Sequence, residues 1–426
     1  MKVSDYNFIF ANFSESHDAL IYNARSGAMA VLDAENYAKF DNFCKEGLAI
    51  EDLELVTGLT HCGFLINENI NEKDELRLNM LSNRFATSQL GLVIAPSMDC
   101  NFRCKYCFET EHFHRHNMND NVAAKVVEFI SKQAVQLTHL SVTWFGGEPL
   151  LDVERIESLS SEFMQICNDN NIKYKSDIIT NGFFLTRDIA QRLKDCMVSY
   201  AQITLDGVKE THDARRFLAD GSGTFDTIIK NLKDSSDILP VALRINVDYE
   251  NQNQVDEVVT LIKHEGMDNS VSVYLGHVRD YNDSYEENRC LSIKQFSKFN
   301  IRFMQDSGKS LESIFPSPKG NYCLADNCQG WVIDPMGDMY KCFADIGVKE
   351  KKVFSLLDES NNQPSAYYGY MLFNPLDDAK CEGCKLVPIC MGGCPLQREK
   401  GTDYCSRFKY NLNEYLVSCA HEILAQ

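Results

Sequence analysis

Leu90-Gly-Leu-Val-Ile-Ala-Pro96 runs straight into Ser97-Met-Asp-Cys100-Asn-Phe-Arg-Cys104-Lys-Tyr-Cys107, and the reading of the fold turns on this stretch. The first seven residues are a short apolar run of the kind that forms a buried strand. The cysteines follow it directly. Three thiolates at this spacing can hold three irons of a [4Fe–4S] cluster and leave the fourth iron open to an exogenous donor. Eight further cysteines lie in the last quarter of the chain: Cys323, Cys328, Cys342, Cys381, Cys384, Cys390, Cys394 and Cys405. They are enough for two more cubanes, so the pattern reads as a redox enzyme with three clusters. Zinc is the competing reading of both groups, because zinc held by four cysteines is common. At the first group His112, His114 or His116 would have to supply the fourth ligand.

Working outward from Leu90, residues 89–310 alternate strand and helix. The strands read LGLVIAP, HLSVTWF, SDIIT, YAQITL, VALRINV and VSVYLG, with helical spacing between them. Such alternation implies parallel pairing through right-handed crossovers, and six units fit an α/β fold built on a partial (β/α)6 barrel. Chemistry in barrels sits at the C-terminal strand ends. Cys100–Cys107, Gly146-Gly147-Glu148-Pro149, Thr180-Asn181-Gly182 and Asp206-Gly207 all follow strands, so one rim is expected to gather them. Residues 1–88 read as a separate module, with a hairpin over Asp18–Leu32, helices over Glu35–Lys45 and Glu51–Thr60, and a charged helix over Asn71–Ser88. Small helices beside a hairpin suggest a winged-helix-like domain. Residues 311–426 begin at a linker marked by Pro316, Pro318 and Gly320 and carry the dense cysteines, where metal ligation would supply much of the folding free energy. Lys409–Leu424 reads as a closing amphipathic helix.

Composition excludes some partners. With 61 Asp+Glu against 42 Lys+Arg, the net charge of −19 would repel a phosphate backbone, so no nucleic acid is expected. No apolar run approaches the roughly 20 residues of a membrane span, and the start MKVSDYNFIF lacks the features of a signal peptide, so a cytoplasmic protein is expected. Disulfides are rare in that compartment, which turns spaced cysteines into ligand candidates. Cys44, Cys62, Cys167, Cys196, Cys290 and Cys419 stand singly and read as small apolar fillers.

The triad Cys100-x3-Cys104-x-Tyr106-Cys107 resembles that of the radical S-adenosylmethionine superfamily, whose motif places an aromatic residue where Tyr106 stands. The resemblance implies that S-adenosylmethionine chelates the open iron, and that an electron from the cluster splits it into methionine and a 5′-deoxyadenosyl radical. That radical would abstract hydrogen from an unactivated carbon, while the protein binds, orients and excludes water. Gly146, Gly147, Glu148 and Pro149 then look like the family's contact for the methionine amino group. By the same likeness Asn181 and Thr204 belong to later strand-end motifs, and Arg216 would neutralise the methionine carboxylate.

The C-terminal cysteines resemble the SPASM extension of that superfamily, with Gly337-x4-Cys342, Cys381-x2-Cys384-x5-Cys390-x3-Cys394 and a last Cys405. The likeness implies one auxiliary cluster on Cys323, Cys328, Cys342 and Cys394, and a second on Cys381, Cys384, Cys390 and Cys405. Cys328 decides whether the first is closed. SPASM enzymes mostly modify peptides or proteins. In the sulfatase maturases an acidic residue directly follows the Gly-x4-Cys cysteine, and here that place is Phe343, with Asp345 two residues on. The N-terminal region looks like the leader-binding domain of peptide maturases. The expectation is therefore a maturase that cross-links a precursor peptide bearing a leader, most often through a thioether, fed by flavodoxin or ferredoxin. Formylglycine formation on a sulfatase, carbon–carbon cross-linking and a zinc-stabilised peptide-binding protein are the alternatives. His277 and Asp206 are rim candidates for a base, though each reads more naturally as structural.

Overall fold

The structure, a computed structural model, describes residues 1–109, 116–280, 285–308, 311, 315–358 and 365–424. The chain divides into two compact units. The first joins Met1–Phe85 to Ile293–Asp326 and Leu372–Gln426, and the second joins Ala86–Ser292 to Asn327–Met371.

The first unit opens with five short strands, β1 (Lys2–Val3), β2 (Asn7–Phe10), β3 (Ala19–Asn23), β4 (Met29–Leu32) and β5 (Leu65–Ile66). β1 pairs with β5, while β2, β3 and β4 form an antiparallel sheet with β3 buried in the middle. The expected hairpin is β3–β4, and its turn uses Gly27 at φ 77°. Helices Ala34–Glu46, Leu53–His61 and Glu72–Arg84 begin at Asp33, Asp52 and Asn71, whose side chains accept from backbone N–H groups three residues on. Ile21, Leu32, Phe40, Leu59, Phe64 and Leu65 make the local core. Helix Ile293–Asp306 packs on the closing helix Phe408–Leu424, where Asn411 donates to the Ser297 carbonyl at 3.0 Å.

One pairing in this unit joins distant sequence. Leu76 and Met80 of the Glu72–Arg84 helix share a core with Leu376, Cys381, Val387 and Met391. Arg84, fully buried, donates to the Phe373 carbonyl at 2.5 Å. The N-terminal module and the last cysteines thus share one apolar interior. Local periodicity marks which face of a helix is apolar but not which distant segment meets it.

In the second unit β6 (Gln89–Ser97), β7 (His139–Gly146), β8 (Lys173–Ile179), β9 (Val198–Thr204), β10 (Val241–Val247) and β11 (Val271–His277) pair in parallel and in chain order. Helices fill each crossover, as the alternation required. Ile94, Val142, Trp144, Ile178, Leu243 and Ile245 are essentially inaccessible to solvent. Each such side chain contributes about 1.5–3 kcal/mol of burial free energy. On β10 the alternate residues Arg244 and Asn246 are half-buried. Gly276 on β11 is required beside them, since a Cβ there would stand 2.2 Å from Arg244 Nε. The six-stranded reading is observed, with an addition. Strand β12 (Gly330–Ile333) runs parallel to β6 on its outer side, and β13 (Asp338–Tyr340) and β14 (Phe354–Ser355) extend the sheet to nine strands among the described residues. Among the described residues no helix is long and apolar enough to cross a membrane.

The cysteine-rich turn of the first unit has no tolerance for a side chain. Met391, Gly392 and Gly393 all hold positive φ, and a Cβ on Gly393 would fall 1.7 Å from the Tyr404 carbonyl oxygen, which accepts from Cys394 N–H at 3.2 Å. Gly393→Ala is expected to cost at least about 3 kcal/mol, read as a lowered thermal midpoint. Gly401→Ala, which meets only open space, should cost about 1 kcal/mol from its left-handed backbone alone.

Candidate active site

The three-cysteine loop rests between two strips of backbone. On one side Arg103 N–H donates to the Phe217 carbonyl at 2.8 Å, Lys105 N–H to Arg215 at 3.2 Å, and Ala219 N–H returns to Asn101 at 3.0 Å. On the other side Gly147 N–H donates to Ser97 and Glu148 N–H to Asp99, at 3.2 and 2.9 Å. A Cβ on Gly147 would lie 2.4 Å from the Asp99 carbonyl oxygen, and one on Gly146, at φ 118°, 2.3 Å from that of Ser97. Both glycines are there because backbone meets backbone.

Glu148 is wholly buried. Its carboxylate accepts from Thr180 Oγ1 at 2.6 Å, Asn181 N–H at 2.8 Å and Leu150 N–H at 3.0 Å. Glu148 thus ties the end of β7 to the end of β8 and caps the single turn that Pro149 begins. Burial raises its pKa, and the three donors oppose that rise. A bound ammonium would take the remaining acceptor position. Asn181 Nδ2 donates to Asn101 Oδ1 at 2.8 Å, which joins the β8 motif to the cysteine loop.

Tyr106 enters a charged cluster. Its hydroxyl donates to Asp206 and accepts from Arg216 Nη1 at 2.9 Å and Asn246 Nδ2 at 3.1 Å. Thr204 is buried one strand over from Arg244, in register with it. The four expected motifs are therefore on one rim. The base candidates are structural. Asp206 serves Tyr106 and Arg215, while His277 lies 2.6 Å from the Leu291 carbonyl and accepts from Arg279 at 3.1 Å. Burial first, then Arg279, hold the His277 pKa down at about 4.

Burial pushes up the thiol pKa values of Cys100, Cys104 and Cys107, and the three lie near enough for Cys100 and Cys104 to raise Cys107 further. Among the described residues no three His, Cys, Asp or Glu side chains close around a single ion. A cubane holds its thiolates farther apart than one ion would, and metal binding releases the thiol protons that burial retains. Several buried polar atoms around this loop have no protein partner: Asn101 Nδ2, Glu109 Oε2, Asp206 Oδ1, Arg215 Nη2 and Arg216 Nε. Donors and acceptors left open in this way fit a zwitterionic ligand that carries an ammonium, a carboxylate and hydroxyls. His112 and His114 lie outside the described residues. His116 accepts Met98 N–H on its backbone at 3.0 Å.

In the first unit Cys381, Cys384, Cys390 and Cys405 gather, since the buried Cys381 thiol and the half-buried Cys390 thiol each feel their neighbours. Lys409 Nζ donates to Cys405 Sγ at 3.3 Å, a cation beside a prospective thiolate. Cys323 and Cys394 are neighbours in the same unit. Cys328 and Cys342 belong to the second unit, where the Cys328 thiol is 3.7 Å from the Ala86 carbonyl. Of the single cysteines, Cys167, Cys196 and Cys419 are buried, while Cys44, Cys62 and Cys290 are half-buried. The sequence reading did not single out Arg215, Asn246, Asp248 or Tyr285. Polar residues at the end of β10, in Asn246-Val-Asp248, were the available signal.

A three-cysteine loop on the strand ends of a six-stranded parallel sheet defines a class, and residues 94–262 match the Radical SAM superfamily model. Over those residues the chain carries a radical S-adenosylmethionine domain, and the cofactors of that class are a [4Fe–4S] cluster and S-adenosylmethionine. Among its relatives is a cysteine-type anaerobic sulfatase-maturating enzyme of Clostridium novyi, 26% identical over 366 residues, covering 75% of this chain and 93% of that one. Another is the radical SAM cyclopropyl synthase TigE of Paramaledivibacter caminithermalis, 24% identical over 430 residues, covering 88% and 85%. In fold the chain is similar to Streptococcus suis SuiB bound to precursor peptide SuiA, with a TM-score of 0.53, 17% identity, and coverage of 94% and 96%.

The histidines of the rim make stability depend on pH. His212 is wholly buried, accepts Asp206 N–H on Nδ1 at 3.2 Å and lies 3.0 Å from Thr224 Oγ1, whose proton goes to the Arg216 carbonyl. The ring is therefore neutral with its proton on Nε2. Burial, then Arg216 and Arg215, hold its pKa well below 6.5. Below that pH the unfolded chain takes up a proton that the folded one refuses, so stability falls as pH falls, by about 1.4 kcal/mol per unit. Denaturant titrations between pH 7.5 and 5 should show this slope added to that of His277, and His212→Gln should remove its own share while lowering stability at pH 7.5.

Proposed function

We propose that this enzyme is a peptide maturase that abstracts hydrogen from a residue of a precursor peptide and forms a cross-link, a thioether from a cysteine sulfur to carbon. The seating of the Cys100–Cys107 loop on the barrel rim carries the radical part of this reading. When bound, the cluster and S-adenosylmethionine would supply a 5′-deoxyadenosyl radical. The residues that would hold them are Cys100, Cys104 and Cys107 for the irons, and Tyr106, Gly146, Gly147, Glu148, Pro149, Asn181, Thr204 and Arg216 for the ligand. Bond formation from a thiol to the carbon radical releases one proton and one further electron. Auxiliary clusters in a SPASM segment would accept that electron, with Cys381, Cys384, Cys390 and Cys405 holding one. Cys323, Cys328, Cys342 and Cys394 are the set for the other.

The peptide part is supported by the N-terminal module. Among the described residues β4 pairs with β3 alone and presents a second edge, with Val31 exposed. An extended leader can add to such an edge as a strand. Likeness to a protein solved with its precursor peptide supports the same reading. Residues 1–88 would then be the leader-binding domain, 89–310 the radical domain and 311–426 the SPASM domain. Phe343 stands against Phe145, the residue before Gly146, with ring centroids 5.2 Å apart. An aromatic ring in the place of an acid weighs against formylglycine formation. Carbon–carbon bond formation is the second reading, favoured by the likeness to a cyclopropyl synthase.

Anaerobic reconstitution should give about twelve irons per chain if all three clusters form. Dithionite and S-adenosylmethionine should then yield 5′-deoxyadenosine. A cysteine-containing precursor should lose two hydrogens, with that cysteine protected from alkylation. Loss of two hydrogens with the cysteine still alkylated would select the carbon–carbon reading. Colourless protein with bound zinc and no nucleoside would sink both. Val31→Asp should weaken capture of the full precursor while leaving 5′-deoxyadenosine formation without peptide intact.

A further inference from the structure

We propose that a buried set of four charges, Asp206, Arg215, Arg216 and Asp248, positions the three-cysteine loop by gripping Tyr106. The inference rests on the reading of that loop as the seat of the radical cluster. Asp206 and Asp248 are wholly buried, and Arg215 and Arg216 nearly so. Arg215 bridges both carboxylates, at 2.7 Å to Asp248 and 3.4 Å to Asp206, and Tyr285 donates its hydroxyl to Asp248 at 2.8 Å. Two cations offset two anions, so the set is neutral as a whole. Taking such charges out of water is unfavourable, which makes the arrangement costly if packing were its only result.

What the set surrounds is one hydroxyl. A tyrosine OH has one proton to give and two lone pairs to fill, and Tyr106 uses all three, on Asp206, Arg216 and Asn246. These partners come from three places: the end of β9, the segment paired to the loop, and β10. The ring is fixed as well. The Arg215 guanidinium lies 5.2 Å from its centroid, and Tyr285 meets it edge-on at 6.0 Å. Tyr106 sits between Cys104 and Cys107, so a ring held from both ends sets where those two sulfurs stand. The Tyr106 hydroxyl, with Asp206, Arg215 and Asp248 behind it, is a positioning group here, acting through the cysteines, while the Tyr106 ring and the open Arg216 Nε stay as the groups that would face the ligand.

The test uses the full chain, reconstituted without oxygen, as wild type, Tyr106→Phe, Asp248→Asn and Arg215→Lys. Electron paramagnetic resonance of the dithionite-reduced protein is recorded with and without S-adenosylmethionine, alongside circular dichroism, thermal midpoint and 5′-deoxyadenosine formed in the absence of peptide. Tyr106→Phe should keep its fold while the ligand-induced change in the spectrum is lost or broadened. Its nucleoside formation should fall by about 100-fold, the scale of an ångström's misplacement. Asp248→Asn should reproduce this from behind. If it fails to fold, Arg215→Lys, which keeps the charge without the fork, decides on the same readouts. A Tyr106→Phe spectrum that responds as wild type does overturns the positioning role. A wild type with no ligand-induced change overturns the reading of the loop itself, and no peptide is needed to tell the two apart.

Discussion

The approach of Gly147 to the backbone of Met98 and Asp99 is the constraint on which the rest of the rim depends. It brings the end of β7 against the first residues of the cysteine loop with no side chain between them. The loop can then turn over the strand ends instead of away from them. Because Glu148 follows immediately, the same turn delivers a buried carboxylate to the end of β8, where Thr180 and Asn181 satisfy it. Asn181 in turn reaches Asn101 inside the loop. A short circuit of hydrogen bonds therefore runs from β6 through β7 and β8 and back to the cysteines. Any side chain at position 147 would open it.

The two cysteine-rich places solve one problem in different ways. Thiols held in an apolar surround stay protonated, and a cluster needs them as thiolates. At the barrel rim the loop backbone is hydrogen-bonded on both sides to segments at the strand ends, so the site is shaped by the sheet. In the first unit the Cys381–Cys405 stretch consists of turns and the short helices Val387–Cys390 and Pro395–Glu399, with three successive left-handed residues at Met391–Gly393 and Lys409 over Cys405. There, ligation would add to the small apolar interior that Cys381, Val387 and Met391 share with Leu76 and Met80.

Much of this was legible in the sequence for specific reasons. The six barrel strands are short apolar runs separated by amphipathic helices, and that period is local. Gly146-Gly147-Glu148-Pro149 could be placed at a strand end because it directly follows HLSVTWF. What could not be read were partners distant in the chain. Nothing near Leu76 announces that it meets Val387, and nothing in Asn246 or Asp248 alone says that both will reach a tyrosine of the cysteine loop, one directly and one through Arg215. Gly330-Trp-Val-Ile333 before the turn at Asp334-Pro-Met-Gly337 does carry a hairpin signal. Its parallel seat on β6 needed the sheet itself. Glu148 shows the opposite case: its motif was found, but its carboxylate is already committed to three protein donors.

The seat of β12 on β6 has a consequence for how the molecule is made. Gly91 and Gly330 are neighbours in the sheet, yet the ribosome produces one long before the other. At 5–20 residues per second the outer edge of β6 waits between about 10 and 50 s for its partner. Throughout that interval the nascent sheet has an open flank on the very strand that leads into Cys100. Pairing between residues so far apart is slow to nucleate and leaves unpaired strand exposed to wrong partners. The order of synthesis thus gives whatever delivers iron and sulfide a period in which the cysteine loop exists and its neighbouring strand has not yet arrived.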